Sequence, residues 1–332
     1  MRDAIKNFPK QFEYEPEVVN SKRLKKFSRF VVVGMGGSHL AADVLKIWRP
    51  EADIIVHSDY GLPSCDDRSA VRGLPAGIDK KKTLVIASSY SGNTEETLDS
   101  FAMAGEQGIA RAAIATGGEL LNRAKAAGVP HIQVPATGIQ PRSALGFMFK
   151  ALLKLFKDEA SLAETTRLSK TLAMGAAELF GKGFAPKLKG FIPVVYASLR
   201  NQAIAANWKI KFNETGKVPA FYNVFSELNH NEMTGVDGQG AAAELGKRLY
   251  YIFLSDPADD RRIQKRMEVM AKLYQDRGLR VERVVLAGAS SLETIFNSLL
   301  AADWTAFYLA ELYGSDPEQV PLVEEFKKLI AR

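Results

Sequence analysis

Thr83-Leu84-Val85-Ile86-Ala87-Ser88-Ser89-Tyr90-Ser91-Gly92-Asn93-Thr94-Glu95-Glu96-Thr97 is the stretch from which the fold is read. Its first five residues are a short apolar run with β-branched members, which reads as a strand. Ser, Gly and Asn then break the run, and Asn93 followed three residues later by Glu96 resembles a capping box, so a helix is expected from Thr94. Strand, turn and helix in this order make one half of a parallel βαβ unit. The turn carries the hydroxyls of Ser89, Ser91 and Thr94 just ahead of the free N–H groups that open a helix, a combination suited to a phosphate monoester. A plain Ser/Asn-rich turn has the same composition for local reasons, so the loop alone names a ligand class and nothing more.

The same pattern extends outward. Strand-like runs at 30–33, 53–57, 83–87, 112–115 and 131–134 alternate with helical stretches at 38–48, 94–107 and 119–127, which predicts a doubly wound parallel sheet. The first strand runs into Gly34-Met35-Gly36-Gly37-Ser38-His39. A dinucleotide fingerprint would need glycine where His39 stands, although Asp59 lies near the expected ribose partner. Glycines needed only for a tight turn are a second reading. Anion binding is the third and the favoured one, because Gly37 lets a ligand approach and the Ser38 hydroxyl can donate to it. Both loops follow parallel strands at their C-terminal ends, where open α/β sheets bind ligands.

Residues 142–180 lack strand signals and read as helix throughout, a connection between halves. Strand-like runs resume at 191–196, 249–254 and 281–286, so the second half reads as another α/β unit. A chain of 332 residues exceeds what one core usually serves. The expected domains are 1–153, holding both loops, and 154–332.

Composition narrows the class. Hydrophobic residues at 46% and charged residues at 25% are ordinary for a folded globular chain. No run is long and apolar enough for a membrane span, and the N-terminal stretch lacks the apolar core of a secretory signal. The single cysteine, Cys65, leaves no internal disulfide and fits a reducing cytoplasm. Net charge is +6, and the runs Lys22-Arg23-Leu24-Lys25-Lys26 and Lys80-Lys81-Lys82 read as solvated surface, which argues against nucleic acid as a partner. The four histidines, His39, His57, His131 and His230, show no metal-ligand spacing.

Ser-x-Ser-Gly-Asn-Thr after a strand, with Gly-x-Gly-Gly-Ser earlier, resembles the sugar isomerase (SIS) domain. Pro141-Arg142-Ser143-Ala144-Leu145-Gly146, Asn213-Glu214-Thr215-Gly216-Lys217-Val218-Pro219-Ala220 and Tyr222-Asn223-Val224-Phe225-Ser226-Glu227-Leu228-Asn229-His230-Asn231-Glu232 are similar to one branch, the bifunctional phosphoglucose/phosphomannose isomerases. So are Asp303-Trp304-Thr305-Ala306-Phe307-Tyr308-Leu309-Ala310 and Gly314-Ser315-Asp316-Pro317. The departures are His39 where glycine is usual and Ser226 where proline commonly precedes Glu-Leu.

The resemblance implies two SIS-type doubly wound αβα sandwich subdomains, and a cytoplasmic, cofactor-free and metal-free aldose–ketose isomerase of glycolysis and gluconeogenesis. It would interconvert glucose 6-phosphate, and mannose 6-phosphate as well, with fructose 6-phosphate through an enediol. Glu214 takes the place of the base. His230 takes that of the ring opener, supplied across a homodimer interface. Arg142 stands near C1 and C2, where a fixed cation steadies an enediolate, and Thr305 at a position associated with accepting both C2 epimers. From the residues themselves, Ile204, Trp208 and Phe212 recur at helical spacing, so the helix before Glu214 packs one face and ends near Gly216. Two alternatives stay open: a SIS module that binds sugar phosphates without converting them, and an amide-transfer enzyme, which would need a glutaminase segment ahead of residue 30.

Overall fold

The computed structural model describes residues 1–63, 78–238 and 240–330; Cys65 lies outside them. The chain divides into two compact units. One is Asn7–Thr171; the other is Leu172–Arg332 together with Met1–Lys6.

The N-terminal unit is built on a parallel sheet of Arg29–Val33 (β1), Asp53–His57 (β2), Thr83–Ser88 (β3), Ala110–Ala115 (β4) and His131–Gln133 (β5), in the order β2-β1-β3-β4-β5. Each pair is parallel. Helices Leu40–Trp48 (α1), Glu95–Glu106 (α2), Gly118–Ala126 (α3) and Leu145–Phe156 (α4) cover both faces. Strand period 2 sorts the core: Val31, Val33, Val85, Ala87, Ala113 and Ala115 pack with Phe101 and Ala104 of α2 and Leu120, Leu121 and Ala124 of α3. Phe30 faces the other way and stacks on Phe156 of α4, ring centroids 3.9 Å apart, and Phe149 of α4 meets Trp48 of α1. Burial on both sides explains why β1 and β3 read as unbroken apolar runs. The switch point falls between β1 and β3, the strands that carry the glycine turn and the serine loop.

The expected boundary at 153/154 is corrected. It would cut α4, which belongs wholly to the N-terminal unit. Lys150 Nζ of α4 donates to the Phe12 carbonyl at 2.6 Å and to Thr166 Oγ1 at 3.0 Å, and Gln11 Oε1 accepts from Gly146 N–H at 2.9 Å. Much of the stretch expected to connect the halves is therefore cover for the first sheet.

The C-terminal unit holds a parallel sheet of Ile192–Ser198 (β6), Phe221–Phe225 (β7), Leu249–Ser255 (β8) and Arg280–Val285 (β9), ordered β7-β6-β8-β9. This repeats the winding β2-β1-β3-β4. The strand β7 was not expected. Its Phe-Tyr-Asn-Val-Phe has strand propensity, but it is a sheet edge with Phe221 and Tyr222 exposed, so the buried alternation is weak. Helices Met174–Leu188 (α5), Gln202–Glu214 (α6), Arg261–Asp276 (α7) and Ser291–Tyr313 (α8) complete the unit. Met267, Met270, Ala271 and Tyr274 of α7 pack with Tyr196, Tyr251 and Phe253 on one face. On the other, α6 lies along β6 and β7, and Phe184 of α5 meets Tyr250.

Candidate functional site

In the N-terminal unit the glycine turn, the serine loop and Arg142 form one connected surface at the switch point. The Ser38 carbonyl accepts from Ser88 Oγ (2.7 Å), and Ser38 Oγ accepts from Tyr90 N–H (3.0 Å), which leaves the Ser38 hydroxyl proton to donate elsewhere. The loop is shaped by its own hydroxyls: Ser89 Oγ accepts from Gly92 N–H at 3.0 Å and shares a hydrogen bond with Thr94 Oγ1 at 2.9 Å. Ser91, exposed, accepts from Asn93 N–H at 3.3 Å. Gly37 is fixed by close approach: a Cβ there would lie 2.8 Å from the backbone nitrogen of Arg142. Arg142 sits on the short 3-10 turn Pro141–Ser143 and is almost wholly buried. Hydroxyls gathered where helix N–H groups open favour an anion at this loop.

One expectation about this surface changes. Asn93 does not cap the helix that follows it. Helix α2 begins after Thr94 with no side-chain cap, and Asn93 Oδ1 accepts instead from Glu119 N–H at 3.0 Å, capping α3, whose own cap residue Gly117 has no side chain to offer. His39 is drawn along its own helix, with Nδ1–H donating to Asp43 Oδ2 at 2.6 Å.

Glu214, His230 and Thr305 lie in the C-terminal unit. Glu214 is the last residue of α6 and half-buried; Ile204, Trp208 and Phe212 behind it show no exposed surface. The turn after it is pinned by Lys217, whose Nζ donates to the Glu214 carbonyl at 2.7 Å and to the Gln319 carbonyl. Asn213 Nδ2 adds a bond to the Val218 carbonyl at 3.0 Å. His230 ends the 3-10 turn Glu227–His230 and is exposed, and the peptide bond before Ser226 is cis. Thr305 is wholly buried on α8, its hydroxyl donating to the Ala301 carbonyl one turn back at 2.6 Å.

Sequence reasoning missed the tie between the helices that carry Glu214 and Thr305. Lys211 Nζ of α6 and Asp303 Oδ1 of α8 form an ion pair at 2.7 Å, and Trp208 Nε1 donates to Ser298 Oγ at 3.0 Å. Removing one partner of such a buried pair costs about 3–5 kcal/mol, so it locks the two helices in register. A lysine one turn before a helix end and an aspartate in an apolar run were the available signals. Also missed was Glu232, which bonds to both β6 and β7. Among the described residues no three His, Cys, Asp or Glu side chains converge as a metal ion would require. Cavities of about 1020 Å³ and 790 Å³ elsewhere are lined by none of these residues.

Comparison with known proteins gives these units relatives. Residues 180–330 match the family model described as the bacterial phospho-glucose isomerase C-terminal SIS domain. The bifunctional phosphoglucose/phosphomannose isomerase of Aquifex aeolicus is 33% identical, over 98% of this chain and 96% of the relative. Its namesake in Caldicellulosiruptor bescii is 32% identical, over 100% of this chain and 99% of the relative. Among solved structures, the tagatose-6-phosphate ketose/aldose isomerase of Escherichia coli superposes with a TM-score of 0.65 at 15% identity, over 95% of this chain and 93% of the other, a likeness of fold. With relatives of more than 30% identity covered from end to end, this chain belongs to the bifunctional phosphoglucose/phosphomannose isomerase family.

Proposed function

We propose that the chain is an aldose–ketose isomerase that interconverts glucose 6-phosphate and mannose 6-phosphate with fructose 6-phosphate, without a metal or organic cofactor. One observation carries the reading: a chain related over its whole length to enzymes of that name places a serine-rich loop, a glycine turn and a buried arginine together at the switch point of its first sheet. Ser89, Ser91, Thr94, Ser38 and the backbone at Gly37 hold the phosphate. With the sugar so anchored, Glu214 removes the proton from C2 of the aldose and returns it to C1, while the O2 proton moves to O1 as the enediol collapses to the ketose. Arg142 steadies the negative charge on the enediolate oxygens, and His230 opens the ring by moving a proton between ring oxygen and O1 hydroxyl. Thr305 sets acceptance of both C2 epimers by fixing the shape of its helix. We place the enzyme in the cytoplasm as a homodimer in which His230 comes from the partner subunit. Retention of Glu214, His230 and Arg142 favours conversion over mere binding of sugar phosphates.

A coupled assay with each aldose phosphate, run with and without chelator, tests this. Both substrates are expected to turn over unchanged by chelator, and inert mannose 6-phosphate sinks the role given to Thr305. Glu214→Gln is expected to lower kcat by about 10²–10⁴-fold with phosphate affinity kept. A variant that turns over like wild type removes Glu214 as the base.

A further inference from the structure

His230 is exposed, and among the described residues its ring has no hydrogen-bond partner. Its position is therefore set by the backbone that carries it. On the N-terminal side that backbone is plugged by Leu228, which has no exposed surface, and Asn229 Nδ2 contacts the sulfurs of Met233 and Met270, 3.2 Å each. On the C-terminal side, two residues on, stands Glu232. Its carboxylate spans two strands: Oε2 accepts from the Tyr196 hydroxyl of β6 at 2.6 Å, and Oε1 accepts from Asn223 Nδ2 of β7. The backbone N–H of Glu232 donates to Asn231 Oδ1 (2.6 Å), and Asn231 Nδ2 donates to Glu227 Oε1 (3.0 Å), closing a loop of bonds around His230.

From this geometry we infer that Glu232 is the positioning residue of the ring-opening step, a clamp that ties the His230 loop to β6 and β7; the inference rests on the reading of His230 above. A hydroxyl donating to a carboxylate at 2.6 Å is a short charge-assisted bond, among the stronger kinds a loop can use. Burial, and after it the neighbouring Glu232, push the Tyr196 hydroxyl far above its ordinary range, so it stays protonated and donates at every working pH. Because the bonds reach adjacent parallel strands, the loop can neither slide along the sheet nor lift from it while both hold. An exposed imidazole then needs no partner of its own to be presented in one place. Glu232 touches neither substrate nor reacting proton.

The test is a double-mutant cycle in the full chain. Glu232→Ala is expected to lower kcat roughly 10–100-fold, the effect of a displacement near 1 Å in a catalytic group, with KM changed less than about twofold. Glu232→Gln, which keeps an acceptor, should recover most of the loss. In a His230→Asn background the Glu232→Ala loss should disappear, because a group already removed cannot be misplaced. The same loss in both backgrounds means a general structural role and overturns the proposal, as does a Glu232→Ala enzyme with wild-type kcat. If Glu232→Ala does not fold by circular dichroism, Tyr196→Phe takes its place in the cycle with the same criteria. A His230→Asn enzyme that turns over normally overturns the ring-opening assignment and the clamp with it; an impaired His230→Asn beside a normal Glu232→Ala overturns only the clamp.

Discussion

Gly92 shows how narrow the conformational demands of the serine loop are. Its φ is +75°, and a Cβ there would lie 1.9 Å from the Gly117 carbonyl oxygen, backbone that cannot step aside. Gly92→Ala combines left-handed strain with a clash, so it is expected to cost about 2 kcal/mol or more in stability and to weaken sugar-phosphate binding. Urea unfolding and a KM measurement check this; a stable variant with unchanged KM would mean that the loop tolerates a different path. At this scale the Ser, Gly and Asn residues marked the turn, within which Ser89, Ser91 and Thr94 bond among themselves and with the intervening backbone. The sequence was not legible where a side chain acts across space. The choice of Asn93 to cap the next helix depends on Gly117 lying beside it, and the Lys211–Asp303 pair depends on two helices far apart in sequence.

Among the elements, the turn from β6 into α6 matters most, since α6 ends on Glu214. Ser198 Oγ donates to Asp259 Oδ1 (2.7 Å), and Asn201 Nδ2 donates to Asp256 Oδ2 (3.0 Å) and reaches Asp259 Oδ1 at 3.2 Å, all of these residues buried. Asp259 Oδ2 is buried without a partner among the described residues, and desolvation first, then Asp256, raises the Asp259 pKa above its ordinary 3.8. A carboxyl whose folded pKa is raised contributes stability that is fully present below the unfolded pKa and lost as pH rises through the folded one. The Tm of wild type relative to Asp259→Asn is therefore expected to be highest below about pH 4 and to fall toward neutrality. A difference that stays flat across that window would show that Asp259 is not its source. Strands buried on both faces were readable as apolar runs, as at β1, β3 and β8. The edge strand β7 escaped because a half-exposed edge writes a weaker pattern.

For the whole molecule, the repeated winding β2-β1-β3-β4 and β7-β6-β8-β9 was legible as two α/β halves. The place of division was not, because α4 is apolar enough to serve either half, and it is assigned by contacts across the chain: its bonds to Gln11, Phe12 and Thr166 and the packing of Phe156 on Phe30 and Phe149 on Trp48. The proposed homodimer is tested at this scale by complementation. Glu214→Gln and His230→Asn chains, each impaired alone, are mixed and allowed to exchange subunits. If His230 is supplied across a twofold interface, each mixed dimer has one site with both groups intact, and activity returns to about a quarter of wild type. No recovery, with exchange confirmed by mass, places both groups in one chain. The second sheet ends at β9, which among the described residues pairs only with β8 and carries Arg280, Glu282 and Arg283 in its first four positions, Glu282 bridged to Lys187 at 3.0 Å. An open edge so charged resists extension by another strand, which protects newly made chains from zipping together before they finish folding. It also keeps copies from joining through this edge into a shared continuous sheet.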